Sequence, residues 1–199
     1  MNRTDDPTRT FWFRVARVIV TSFFRVTYRF RIVGADNIPS TGPLILASNH
    51  ISNLDPPVIG ICTHRHVQFM AKAELFRIRP IGAFLRWLGG FPVRRGLRDT
   101  TAIKYAVSVP KRGGCLVIFP EGHRSKDGRL GKGLTGVAFI ARRAGCPIVP
   151  VAIVGPYRFR QPLTVRFGRP LLPEADDSNE TLLEKLMSSI QELLNEGHA

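Results

Sequence analysis

His50 and Asp55, separated by four residues in Ser48-Asn49-His50-Ile51-Ser52-Asn53-Leu54-Asp55, are the two side chains best suited to make a hydroxyl nucleophilic. A neutral imidazole accepts a proton from an alcohol near neutral pH. A carboxylate on its other ring nitrogen fixes the tautomer and stabilises the imidazolium that forms. His50 is therefore a candidate general base and Asp55 its orienting partner. The bland alternative is a surface histidine followed by an unrelated helix cap, so this pair has to be weighed with its surroundings. A second cluster is Phe119-Pro120-Glu121-Gly122-His123-Arg124-Ser125. Gly122 permits a tight turn and close approach of a ligand to backbone. Arg124 offers a planar fork of donors suited to phosphate, and Ser125 a hydroxyl contact. Glu121, an anion, suits positioning an arginine or accepting a hydrogen bond from a substrate hydroxyl; a plain turn with surface charges is the competing reading. Lys72, Arg94 and Arg95 are solvated charges if taken singly, and together a cationic pocket for a phosphorylated ligand. His64-Arg65-His66 lacks a third ligand nearby, so no metal site is expected.

The elements that must position these residues follow from hydrophobic pattern. Leu44 to Ala47 reads as a buried strand delivering His50, and Asp55-Pro56 as the N-cap and first position of a helix through Ile61, with a turn folding Asp55 beneath His50. Tyr28 to Val33 alternates as a half-buried strand. Further strands are expected at His66 to Ala71, Cys115 to Phe119 and Ile148 to Ile153, and a short strand-like run after Gly89-Gly90. Helices are expected over Ile81 to Leu88, from an Asp99-Thr100 cap through Val107 with Pro110 as its end or kink, and from about Gly133 to Ala144. A last helix opens with Asp177 and Glu180 in capping-box-like spacing and aligns Leu182, Leu183, Leu186, Ile190, Leu193 and Leu194 as a core stripe. Strands alternating with helices predict an α/β fold: one layered domain, residues 28–199, with a mixed central sheet flanked by helices. Chemistry in such sheets sits beyond the carboxyl ends of strands, where all three polar clusters fall.

At 199 residues, 44% of them hydrophobic, the chain suits a single core. The net charge of +14 points to an anionic partner: lipid headgroups, phosphorylated metabolites, an acidic carrier protein or nucleic acid. No nucleic-acid motif and no interleaved stacking aromatics accompany the basic residues, so no specific nucleic-acid partner is expected. Cys62, Cys115 and Cys146 are odd in number and set among apolar residues, which argues against a disulfide framework and for a reducing environment. Residues 1–27 form an N-terminal tail and helix. From Phe11 to Thr27, Arg14, Arg17 and Arg25 stack on a narrow stripe beside a broad apolar and aromatic face, the pattern of a helix lying in a bilayer interface and drawn to anionic lipid. A helix packed on the domain's own core is the alternative. Arg17 and Arg25 leave too short an uncharged run between them to span a membrane.

Four blocks in order now carry a resemblance: Asn49-His50 with Asp55, Gly90-Phe91-Pro92-Val93-Arg94-Arg95, Phe119 to Ser125, and Ile148-Val149-Pro150-Val151. Together, over about residues 28–170, they resemble the glycerophospholipid acyltransferases, in the 1-acyl-sn-glycerol-3-phosphate acyltransferase branch. The resemblance implies acyl transfer from a thioester, acyl-CoA or acyl-carrier protein, to the 2-hydroxyl of lysophosphatidic acid, giving phosphatidic acid. It implies no cofactor beyond that co-substrate, and a peripheral place on the cytoplasmic face of a membrane. It makes His50 the base and Asp55 its partner, Arg95 and Arg124 phosphate contacts, Glu121 and Gly122 the shapers of the acceptor site, and Lys72 a residue lining it. The Val149-Pro150 block is structural or acyl-lining. His123 departs from the commoner threonine, which leaves open glycerol 3-phosphate or another lysolipid as acceptor. A non-catalytic basic membrane-binding module is the reading from a different class. Oxyanion donors are sought in the backbone of the His50 turn.

Overall fold

The apolar runs become one seven-stranded sheet in a computed structural model that describes residues 11–94 and 99–196. The strands are β1 (Arg29–Val33), β2 (Leu44–Ser48), β3 (Val67–Lys72), β4 (Gly90–Val93), β5 (Cys115–Ile118), β6 (Ile148–Val154) and β7 (Pro162–Phe167), in the order β1-β7-β6-β2-β5-β3-β4. β6, β2, β5, β3 and β4 run parallel to one another, so their carboxyl ends share one edge. β7 is antiparallel to β6 and parallel to β1, which makes the sheet mixed. The helices are α1 (Phe11–Thr27), α2 (Asp55–Cys62), α3 (Arg79–Trp87), α4 (Thr100–Lys111), α5 (Gly136–Ala144) and α6 (Asn179–Asn195). The expected α/β layering is therefore present. β7 is an element that the sequence reading lacks.

The unbroken apolar character of the central strands has a direct cause: both faces of the sheet are covered. Along β2, Leu44 and Leu46 enter one core with Val58 and Ile59 of α2 and Phe24 of α1, while Ile45 and Ala47 enter a second. That second core is closed by Ala106 and Val109 of α4, by Val137, Ala138, Ile140 and Ala141 of α5, and by Leu182, Leu186 and Ile190 of α6. The α6 stripe is thus core packing. Each fully buried valine, leucine or isoleucine among them contributes about 1.5–3 kcal/mol of transfer free energy. All three cysteines lie inside, and burial pushes the thiols of Cys62, Cys115 and Cys146 up to about 12.

Three local expectations are corrected. Asp55 is not an N-cap; Leu54 holds that position, and Asp55 is the first residue of α2, ahead of Pro56. The cap of α6 is Ser178, whose Oγ accepts the Thr181 N–H at 3.0 Å, while the buried Asp177 accepts the Glu174 N–H and meets Lys185 Nζ at 2.8 Å. A hydroxyl one residue later wins because the Asp177 carboxylate is already engaged by a lysine. Arg17 does not join an exposed arginine stripe. It is half-buried and donates to the Ile61 carbonyl in the last turn of α2 at 3.1 Å, where a cation is favoured. Asp99 does cap α4 as expected, accepting the Ala102 N–H at 3.0 Å.

Candidate active site

β2 and β5 are paired neighbours, with Ala47 opposite Ile118, so the two chain segments leaving the sheet side by side are those carrying His50 and Glu121. Asn49 holds the end of β2 against β6. Its Oδ1 accepts the Ile153 N–H at 2.8 Å and its Nδ2 donates to the Ile153 carbonyl at 3.0 Å. On the other flank, the His50 N–H donates to Glu121 Oε1 at 3.0 Å and the Ser125 N–H donates to the His50 carbonyl at 2.7 Å. His50 is consequently fixed by its backbone from both sides before its ring makes any contact.

The ring stacks on Phe119, the residue following β5, with centroids 4.0 Å apart and planes 19° from parallel. Its Nδ1 lies 2.7 Å from Asp55 Oδ2. A carboxylate only accepts, so Nδ1 carries the hydrogen and Nε2 is left with the lone pair. Asp55 is fully buried, which would be prohibitive for a lone anion, but it is held by four donors. Oδ2 also accepts the Ile51 and Ser52 N–H groups at 2.7 and 2.8 Å, and Oδ1 accepts the Tyr157 hydroxyl at 2.7 Å. Tyr157 follows β6 on the same edge of the sheet. Burial first, and then the charge and hydrogen bond of Asp55, push its phenol well above the ordinary range, so it remains a donor. No sequence motif singled out Tyr157; an isolated tyrosine after a strand looks like any other until the strand order places β6 beside β2.

Glu121 differs from expectation. It meets no arginine among the described residues and is almost wholly buried. Oε1 takes the His50 N–H, and Oε2 takes the Gly131 N–H at 2.8 Å. It is a brace tying the histidine to the far end of the following loop. Gly131 must be glycine for this to work, because a Cβ there would stand 2.8 Å from Glu121 Oε2. Gly122 sits at φ +70°, the left-handed region open to glycine at little cost, and a Cβ would crowd Leu134. Four backbone donors of the His50 turn are not available as an oxyanion hole: the N–H groups of His50, Ile51, Ser52 and Leu54 are already bonded to Glu121, Asp55, Asp55 and Ser52 Oγ.

The loop after Glu121 carries Arg124, Lys126 and Arg129 around a surface cavity of about 480 Å³ that Glu121 also lines. Arg124 is exposed, and Ser125 turns its hydroxyl to Asp127 Oδ1 at 3.0 Å. Lys72 is exposed at the end of β3, beside β5 on the shared edge. Arg94 follows β4, three strands from β2, or roughly 14 Å at about 4.8 Å per strand. Arg95 lies outside the described residues. His50, Asp55, Glu121 and Ser125 therefore form one hydrogen-bonded unit, with Gly122 in the turn beside Glu121, Arg124 on the rim and Lys72 further along the edge.

Residues 29–154, which include His50, Asp55 and Glu121, match the family model described as Acyltransferase. The chain belongs to the acyltransferase family. Its curated relatives carry the name of one branch. It is 34% identical over 131 residues, 64% of this chain, to a chloroplastic 1-acyl-sn-glycerol-3-phosphate acyltransferase of Brassica napus, and 29% identical over 198 residues, 95% of this chain and 74% of the relative, to the 1-acyl-sn-glycerol-3-phosphate acyltransferase of Streptococcus pneumoniae. The chain spans little more than a third of the chloroplast relative, 38% of its length. The crystal structure of the 1-acyl-sn-glycerophosphate (LPA) acyltransferase PlsC from Thermotoga maritima superposes with a TM-score of 0.71 at 26% identity, covering 84% of this chain and 71% of that one. As an acyltransferase, this protein carries its dyad and brace within the matched segment, with Tyr157 just beyond it.

Proposed function

We propose that this acyltransferase moves an acyl chain from a thioester to the 2-hydroxyl of 1-acyl-sn-glycerol 3-phosphate, giving phosphatidic acid, with His50 as general base. The observation that carries the reading is the 2.7 Å contact of His50 Nδ1 with a buried, four-donor Asp55, which leaves the Nε2 lone pair for the substrate. Nε2 takes the proton as the alcohol oxygen attacks the thioester carbonyl. A C–O bond forms, the C–S bond breaks, and the imidazolium returns its proton to the departing thiolate. The thioester is already activated, so no covalent enzyme intermediate is required. Alignment and base catalysis suffice. The three cysteines, buried and held as thiols, play no part as nucleophiles.

Arg124, Lys126 and Arg129 supply the cationic rim for the acceptor phosphate, with Lys72 and Arg95 as its further contacts. Acyl-CoA and acyl-carrier protein are both anionic donors suited to a +14 chain. Peripheral membrane placement rests on α1, where Phe11, Val18, Ile19, Phe23 and Val26 stay exposed although Phe24 is buried in the core. No helix among the described residues is long and apolar enough to cross a membrane. The experiment is thiol release by the purified chain with acyl-CoA or acyl-carrier protein and a panel of acceptors. Lysophosphatidic acid should be the best acceptor, and His50→Ala should lower kcat by about 10²- to 10⁴-fold in a protein that still folds, with a Tm lowered by the loss of one donor to Asp55. Release by His50→Ala at the parent rate refutes the mechanism.

A further inference from the structure

Ten of the eighteen large hydrophobic side chains exposed among the described residues lie on two segments, α1 and residues 73–87. The 3-10 turn Ala73–Arg77 and α3 carry a second series, Leu75, Ile78, Ile81, Phe84 and Trp87, spaced three residues apart and each more than a third exposed; Phe84 reaches 56%. A water-facing helix would place polar residues there. The turn and helix are welded into one piece: Gly82 packs so closely that a Cβ would lie 2.7 Å from the Phe76 carbonyl oxygen, and the Arg86 guanidinium sits 5.3 Å over the Phe76 ring.

This series is continuous with α1. The Phe13 and Trp87 rings lie 5.9 Å apart, and Phe84 stacks on Trp87 at 6.1 Å. Between the two helices runs an apolar groove of about 200 Å³, lined by Ile19 and Val20 of α1, Phe84 and Trp87 of α3, and Pro56 and Pro57 of α2. The charges bordering the surface are predominantly positive. Arg77, Arg79 and Arg86 are exposed around α3 and Arg14 and Arg25 along α1, against a single acidic residue, Glu74, in these two segments. Apolar side chains framed by arginines match the acyl and headgroup layers of an anionic bilayer.

We propose that residues 73–87 are a second membrane-docking element, and that α1 and α3 enter an anionic lipid surface together as one face. This goes beyond the α1 proposal and does not depend on the acyl-transfer reading, because binding is read without turnover. A face made of two crossing elements fixes the orientation of the domain on the membrane, which a single helix free to roll about its axis does not.

The test uses full-length protein and vesicles of phosphatidylglycerol with phosphatidylcholine. The chain has two tryptophans, so Trp12→Phe leaves Trp87 as the only indole. Its fluorescence should shift to the blue on vesicle addition and be quenched by lipids brominated on the acyl chain. Ile81→Glu with Phe84→Glu should weaken vesicle co-sedimentation about tenfold or more, and alanine at Arg77, Arg79 and Arg86 should reduce binding to anionic vesicles while leaving the weak binding to pure phosphatidylcholine unchanged. An unshifted, unquenched Trp87 overturns the proposal even if the glutamate variant fails to fold. So does vesicle binding by a folded glutamate variant at the parent's affinity, which would leave α1 as the sole anchor. A parent that is dimeric in solution, becomes monomeric in the glutamate variant and keeps its vesicle affinity would assign the surface to a second copy of the chain.

Discussion

Glu121→Gln separates the reading of this residue from its sequence context from the reading by its contacts. The carboxylate accepts the His50 N–H at 3.0 Å through Oε1 and the Gly131 N–H at 2.8 Å through Oε2. Glutamine has the same shape but offers one oxygen and one NH2. Whichever way the amide is turned, one buried backbone N–H faces another donor. The change removes one hydrogen bond to a charged acceptor, about 1.5–3 kcal/mol, and strands a buried N–H at about 1–3 kcal/mol, less whatever the 122–133 loop recovers by shifting. A loss of about 3 kcal/mol is expected, which for a chain of this length lowers Tm by roughly 6–12 °C. Thermal unfolding followed by circular dichroism measures it. The same step frees the His50 backbone, and a displacement of even part of an ångström at the base should lower kcat about tenfold to a hundredfold with little change in KM. Were Glu121 instead a contact for a substrate hydroxyl, the variant would melt with the parent and lose affinity alone. A Tm within about 2 °C of the parent together with a raised KM refutes the brace.

Tyr157→Phe removes one of the four donors to Asp55 and should cost about 1.5–3 kcal/mol at neutral pH in urea unfolding, because a buried carboxylate oxygen loses its partner. The folded protein holds the Tyr157 proton to higher pH than the unfolded chain, which releases it near pH 10, so Tyr157 makes stability fall as pH rises past about 10; the phenylalanine variant should lack that part of the fall. Gly131→Ala should reproduce much of the Glu121→Gln phenotype, since the added Cβ meets Oε2 at 2.8 Å, whereas alanine at Gly136, where a Cβ meets nothing within 4 Å, should be silent in the same melt. The native protein should react with none of its cysteines when treated with a thiol reagent at pH 8, and with all three in denaturant; a fast native thiol would contradict their burial.

Much of the site was legible in the sequence because chemistry-bearing residues sat directly after apolar runs, and those runs had to be strands. His50 after Leu44 to Ala47 and Glu121 after Cys115 to Phe119 follow from that rule alone. Helix caps were less legible. Asp55 and Asp177 have the side chains of caps, but each carboxylate is claimed by a partner that local pattern cannot see, His50 with Tyr157 in one case and Lys185 in the other. The Arg17 side chain, read as part of a lipid-facing stripe, is drawn instead to the carbonyl end of α2, which is 44 residues away along the chain.

The sequence by itself determined six of the seven strands, that helices flank the sheet, and that a histidine and a carboxylate share one turn, because periodicity and turn chemistry are local properties. Only the tertiary structure decided that β2 lies between β5 and β6. That placement sets Glu121 against the His50 backbone and brings Tyr157, 102 residues from Asp55, to its second oxygen. Strand order is fixed by which buried faces and backbone hydrogen bonds can be satisfied together, a global condition that no single segment encodes. The dyad was therefore written in one stretch of chain, while what holds it in place is contributed by strands that meet only when the sheet has formed.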